Sequence, residues 1–264
     1  EPGFQSAQFA LWKKKLRGIE LLNAEPHLVR QRMIKDADEI AWLRRAIAIT
    51  RRGLLAVLPR IPRMKNEAEI AAELVMHYRK VAYGPLAFPP IVGSAINGAT
   101  LHYPHNDQPL VKGAPLLIDS GATAGGYCAD VTRTVPQHGR FDQRRFREVY
   151  ELVLHANDLG RKHARPGISR EELNDIAWKP IIGAGFTRHH GLWHHIGLDV
   201  HDPADYTQRL APGMVISNEP GIYLPDEGFG IRIEDDLLIT ERGCEVLTRA
   251  IPKRIGELEA VMRG

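Results

Sequence analysis

Two cysteines in 264 residues are too few for a disulfide framework. Cys128 and Cys244 read as reduced thiols, so folding must rest on core burial and on any metal held. No run of about 18 apolar residues occurs, which excludes a membrane-spanning helix. The N-terminus lacks a basic segment followed by an apolar one, so no secretory signal is expected and a cytoplasmic location follows. It also lacks Met; Glu1-Pro2-Gly3-Phe4-Gln5 reads as a processed or truncated end. A strong charge excess is missing too, with 35 basic against 32 acidic residues and a net charge of +3. The short run Lys13-Lys14-Lys15 reads as a solvated face, so neither nucleic acid nor membrane is an expected partner. What is present is 44% hydrophobic and 25% charged residues, a globular composition that rules out disorder and collagen-like structure. The length fits one large domain or two small ones.

Residues 1–34 differ from the rest. They hold a short helical stretch from Phe9 to Leu16, then Ile19–Leu22, then a polar link through Pro26 and Arg32. We expect an N-terminal stub or connector from a missing or shortened domain, and a main domain over 35–264. Asp36 and Glu39 form an N-cap and N3 pair ahead of Ile40, Leu43, Ile47 and Leu54 at helical spacing. Pro59 and Pro62 end that helix. A second starts at Asn66 with Glu69, a third spans about Asp142 to Arg165, and Ser169 with Glu172 caps a fourth. Strand character marks 91–93, 115–118, 127–135, 214–219, 230–240 and 245–248. Helices then strands, twice over, suggest an α+β fold with helices on one face of a mostly antiparallel sheet.

Chemistry concentrates in four segments. Between Leu116 and Asp130, strand-like runs flank a Gly-rich centre, which reads as a β-hairpin. A two-residue turn at Ala124-Gly125 would pair Asp119 directly with Asp130, on one face and about 5 Å apart. Two carboxylates so close need a cation between them or a shared proton. The competing expectation is a turn-stabilising Asp119 and an Asp130 paired with Arg133. Next, five of the 12 histidines fall between His189 and His201, where a uniform spread would put fewer than one. Such clustering favours metal or acid–base chemistry, and Gly191 and Gly197 argue against a helix there. Glu219 and Glu234 lie on later strands, with Arg232 and Glu234 sharing a face. Two Asp, one His and two Glu form a mostly oxygen set suited to manganese, cobalt or zinc. Two such ions would generate a hydrolytic nucleophile at neutral pH.

The order and wording of these segments resemble the aminopeptidase P and prolidase (Xaa-Pro dipeptidase) family. The matching pieces are Asn97-Gly98 with Leu101-His102-Tyr103, Leu117 to Ala122, Ala129 to Thr134, His190 to Asp202, Asn218 to Tyr223, and Ile231 to Asp235. The similarity covers about 35–262. It implies a pita-bread fold: a curved, mostly antiparallel sheet with helices on its outer face and a dinuclear metal site on its inner face. It implies two divalent ions per chain, manganese first, in a catalytic metallopeptidase domain. Asp119 would hold one ion, Asp130 and Glu234 would bridge both, and His194 and Glu219 would ligate the second. A bridging hydroxide would attack the peptide carbonyl, with Glu219 as general base. His201 and His102 would stabilise the tetrahedral intermediate or shuttle a proton to the leaving nitrogen. His190 and Arg232, with His102 and His201, would position the substrate.

The implied function is hydrolysis of the bond between an N-terminal residue and a following proline, in small peptides, by a homodimer. The alternative is an Xaa-Pro dipeptidase; further off stand a methionine aminopeptidase, a metal-free creatinase-like enzyme and a non-catalytic peptide-binding protein. The chain departs from the family at Trp193, where a small residue usually precedes the ligand histidine. The bulky indole should keep the ligand but reshape the pocket wall. Cys128, two residues before Asp130, reads as a small buried apolar residue whose oxidation would disturb the site.

Overall fold

Both expected capping boxes are present in the computed structural model, which describes residues 2–16, 18, 19, 22–82 and 85–263. The Asp36 carboxylate accepts from the Glu39 backbone N–H while Glu39 accepts from that of Asp36. Ser169 and Glu172 repeat the exchange. Each satisfies donors that a helix start leaves open.

Helices α1 (Pro2–Lys15) and α2 (Glu25–Met33) precede α3 (Ala37–Val57) and α4 (Glu67–Ala82). Strands β1 (Ile91–Ser94), β2 (Pro115–Ser120), β3 (Thr123–Ala124), β4 (Tyr127–Cys128) and β5 (Val131–Pro136) follow. Then come α5 (Arg144–His163) and α6 (Arg170–Gly183). Strands β6 (Val215–Ile216), β7 (Gly221–Leu224), β8 (Phe229–Arg232), β9 (Leu237–Thr240) and β10 (Gly243–Val246) lead to α7 (Ile255–Arg263). The expected polar link through Pro26 and Arg32 is instead helix α2. Pro26 sits in its first turn, where a missing N–H costs nothing. Of the expected Ile19–Leu22 segment, residues 20 and 21 lie outside the described residues. The predicted 230–240 strand is two strands separated by the segment that carries Glu234. No helix among the described residues is long and apolar enough to cross a membrane.

All strand pairs are antiparallel, in sheets ordered β1-β2-β5 and β10-β9-β6 with the pairs β3-β4 and β7-β8. The hairpin turn falls at Gly125-Gly126, whose φ angles of 57° and 89° suit glycine. Asp119 therefore pairs with Thr132, not Asp130. The expected register is wrong by two residues, but a slip of two keeps every side chain on its face. Leu116, Ile118, Val131 and Val135 point to the helical side, in one cluster with Leu54, Ile70 and Leu74 of α3 and α4. The opposite face presents Asp119 and Thr132. Helix α5 buries Phe146, Val149, Tyr150, Val153 and Asn157 at helical spacing and packs on α6 and on β8. The sheets thus carry their helices on one side and their acidic residues on the other.

Candidate metal centre

Backbone pairing places each acidic residue. Glu234 N–H donates to Thr132 O at 3.1 Å, joining the segment after β8 to β5. No helix crosses residues 184–214, as the glycines indicated. There His194 is locked to the segment after β6: its N–H donates to Ser217 Oγ (3.0 Å), and Ser217 N–H donates to His194 O (2.9 Å). Glu219 N–H donates to Leu192 O at 2.9 Å.

Asp130, His194 and Glu234 are all buried and offer ligand atoms within 4.8 Å of one another. His194 Nε2 lies 3.4 Å from both Asp130 Oδ2 and Glu219 Oε1. Asp119 joins through Arg232, whose Nη2 is 2.6 Å from Asp119 Oδ2. Burial, then the charge of Glu234, holds the Asp130 carboxyl well above its ordinary range. Burial and then Glu219 do the same to Glu234. Burial pushes Glu219 up to about 7, although Arg232 opposes the shift.

A divalent cation fits this donor set. Asp119 Oδ1 and Asp130 Oδ1 are buried without a partner among the described residues. His194 Nδ1 donates to His195 O at 3.0 Å, which leaves the Nε2 lone pair toward the carboxylates. Burial lowers the His194 pKa to about 3, so the ring is neutral and able to ligate.

His201 stacks on His194, with centroids 3.9 Å apart, and His102 meets His201 edge-on at 6.4 Å. These residues share a cavity of about 320 Å³ with Glu219, Glu234, Arg232 and His190. His190 Nδ1 donates to Gly191 O at 2.7 Å, and burial holds its pKa near 4. Its neutral Nε2 therefore accepts from Tyr223 OH (2.9 Å), which in turn accepts from Arg232 Nη1 (3.1 Å). The fold brings together all nine residues singled out in the sequence.

Three neutral hydroxyls escaped the sequence reading. Thr132 donates to Glu234 Oε2 (2.6 Å) and accepts from Arg232 Nε (3.0 Å). Ser217 donates to Glu219 Oε1 at 3.1 Å. Tyr223 links Arg232 to His190. All three lie beside charged motif residues, and for Thr132 the period-two alternation of Val131 to Val135 was the available signal.

Two further expectations are corrected or sharpened. Arg133 does not pair with Asp130; it holds Asp235 at 2.7 Å. Burial would raise Asp235, but Arg133 and Lys253 outweigh it and lower its pKa. Cys128 is buried against Leu43, Ile196, Val215 and Leu238, and burial pushes its thiol up to about 12. That suppresses the thiolate on which oxidation depends.

Glu67, at the start of α4 and fully buried, was also missed. Its Oε1 accepts from Ser94 N–H (2.7 Å) and Asn97 Nδ2 (3.0 Å). Its Oε2 accepts from Tyr103 OH and Gln108 N–H, both at 3.1 Å. These donors bracket His102, which adopts φ of 52°, a conformation the surrounding structure must enforce. Glu67→Ala strands four donors and should lower the unfolding free energy by about 2–3 kcal/mol, read by urea denaturation.

Residues 41–241 match metallopeptidase family M24. An Xaa-Pro aminopeptidase of Haemophilus influenzae is 35% identical, over 92% of this chain and 64% of that protein. An Xaa-Pro dipeptidase of Pyrococcus horikoshii is 34% identical, over 90% and 68%. The structure of Escherichia coli aminopeptidase P with the inhibitor Pro-Leu superposes with a TM-score of 0.90 at 31% identity, over 98% of this chain and 68% of that one. The likeness bears out the pita-bread fold. The chain spans less than two thirds of the length of the aminopeptidase relative.

Proposed function

Because this chain belongs to metallopeptidase family M24, we propose that it is a dinuclear-metal exopeptidase cleaving between an N-terminal residue and a following proline. The observation that carries this is the convergence of buried carboxylates on the Nε2 of a neutral His194, beside a cavity lined by three more histidines. In this proposal Asp119, Asp130, His194, Glu219 and Glu234 hold two divalent ions, with manganese, cobalt and zinc all compatible. When bound, the ions would lower the pKa of water and polarise the scissile carbonyl.

The chain's own residues do the rest. Glu219, with a pKa raised toward neutrality, is suited to take a proton from water and return it. Ser217 aims Glu219 Oε1 while leaving Oε2 free to act. His102 and His201 line the cavity together, where ring N–H groups can support the developing oxyanion or protonate the leaving nitrogen. His190, fixed by Tyr223, faces the proline side. Arg232 has Nε, Nη1 and Nη2 committed to Thr132, Tyr223 and Asp119, so we assign it a positioning role through those three residues.

An Xaa-Pro dipeptidase is the second reading, supported by relatives of both specificities at nearly equal identity. Metal analysis combined with assays on Gly-Pro and on longer Xaa-Pro-Xaa peptides tests both. We expect two ions per chain and cleavage of the longer peptides. Cleavage of dipeptides alone would favour the second reading. Fewer than one ion per chain with no Xaa-Pro turnover would remove both.

A further inference from the structure

Arg170 is the first residue of α6, directly after the Ser169 cap. A cation there opposes the helix dipole, so the position is not chosen for helix stability. Arg170 enters no ion pair among the described residues; its neighbour Glu172 is committed to Arg209 and to the Ser169 N–H. Its guanidinium lies 4.0 Å over the Tyr206 ring and 5.6 Å from the Trp193 ring. Its one recorded hydrogen bond is long, from Nη2 to Trp193 O at 3.5 Å. The Tyr206 ring lies against the guanidinium, and with no carboxylate taking its N–H donors among the described residues they remain open to a ligand. The same side chain lines the cavity of about 320 Å³ that holds Asp119, Asp130, His194, Glu219 and Glu234. Trp193, the residue that departs from the family pattern, thus forms part of a platform for a cation facing the acidic centre.

We infer that Arg170 binds the C-terminal carboxylate of a short peptide substrate, making this chain selective for di- and tripeptides with a free carboxylate. The inference rests on the peptidase reading above and names its substrate class. A planar fork offering two parallel N–H donors matches a carboxylate, and such charge-assisted pairs are strong and directional. The opposing possibility is that Arg170 acts only on Glu219, whose carboxyl it also lowers through space.

The test compares manganese-loaded wild type with Arg170→Gln on Ala-Pro, Ala-Pro-Gly and the C-terminal amide of each. Arg170→Gln should raise KM for the preferred acid by about 10–100-fold, with a smaller change in kcat. The amides should change by less than about 2-fold, since they lack the carboxylate. Arg170→Lys should recover part of the acid preference, because it keeps the charge and loses the fork. Equal losses on acid and amide, or no loss on either, would overturn the inference. Calorimetry with an uncleavable Ala-Pro analogue, whose scissile carbonyl is replaced by methylene, separates this from failure of the peptidase reading. Wild type should bind the acid analogue at least tenfold tighter than its amide, and Arg170→Gln should bind them alike. Absence of that preference in wild type would overturn the carboxylate site even if peptides are cleaved. Its presence without cleavage would support the site and discard the reaction.

Discussion

Glu219→Gln is expected to lower kcat on an Xaa-Pro peptide by about 10²–10⁴-fold while leaving the protein folded. Gln keeps the shape of the side chain, so it can still accept from Ser217, but it cannot take up a proton. The environment explains why this carboxylate in particular is suited to the task. Burial pushes its pKa up to about 7 while Arg232 pulls it back, leaving it poised between its two forms near neutrality. Asp130 and Glu234 are pushed well above their ordinary range, which marks them as groups that need a cation to ionise. With cations bound, every carboxyl pKa in the cluster falls, so the acid limb of the kcat/KM profile should lie below pH 7. Glu219→Ala should lose activity at least as severely and also lose bound metal, because it removes a donor. Stopped-time peptide assays with metal analysis on both variants separate the two roles. Full activity in Glu219→Gln would remove the residue from the base role.

The parts of this fold that were legible in the sequence are those set by short-range chemistry. Asp36 with Glu39 and Ser169 with Glu172 are local exchanges of hydrogen bonds, and both helix starts fall where the pairs indicated. Proline misled in one place. Pro26 was placed in a polar link, yet at the first turn of α2 its lack of an N–H has no cost. The hairpin register was missed because the turn was placed at Ala124-Gly125, midway between the two aspartates, and not at the adjacent Gly125-Gly126. The backbone settled on the pair of glycines, where both φ angles are positive.

Charged site residues were legible because their types carry chemistry and because the quoted motifs fixed their order. Thr132, Ser217 and Tyr223 were not, since a hydroxyl in a strand carries no charge pattern. For Thr132 and Tyr223 the function exists only once partners 102 and 9 residues away arrive beside them, and Ser217 reaches Glu219 two residues on. Glu67 failed for the same reason: its donors lie 27 to 41 residues downstream, at the end of β1 and in the segment after it. Arg170 was hidden by position, since a basic residue at a helix start reads as solvated surface until Tyr206 and Trp193 are seen against it.

Removing divalent ions with a chelator should abolish peptide hydrolysis and lower the melting temperature by about 5–10 °C at pH 7.5, with a much smaller thermal shift at pH 5. Three buried carboxyl groups of the proposed ligand set govern both effects. Burial holds Asp130 and Glu234 well above their ordinary range and Glu219 at about 7. A carboxyl whose folded pKa exceeds its unfolded value binds more protons in the native state. Its contribution to stability is complete below the unfolded pKa and is lost as pH rises through the folded one. For Glu219 that window runs from about 4.5 to about 7. Chelated protein should therefore lose stability across pH 5–7, as like charges are forced together out of water. Divalent ions bind the ionised forms, so protons compete with them at pH 5 and not at pH 7.5. Metal at 100 times its Kd adds about 2.7 kcal/mol, and a domain of this size shifts by about 2–4 °C per kcal/mol. Thermal scans with chelator and with manganese at pH 5.0, 6.0 and 7.5 read the effect directly. A shift that is flat with pH, or largest at pH 5, would place the bound ion away from these carboxylates. Asp130→Asn gives the complementary result: by deleting one of the mutually repelling charges it should stabilise the chelated protein at pH 7.5 while shrinking its response to manganese.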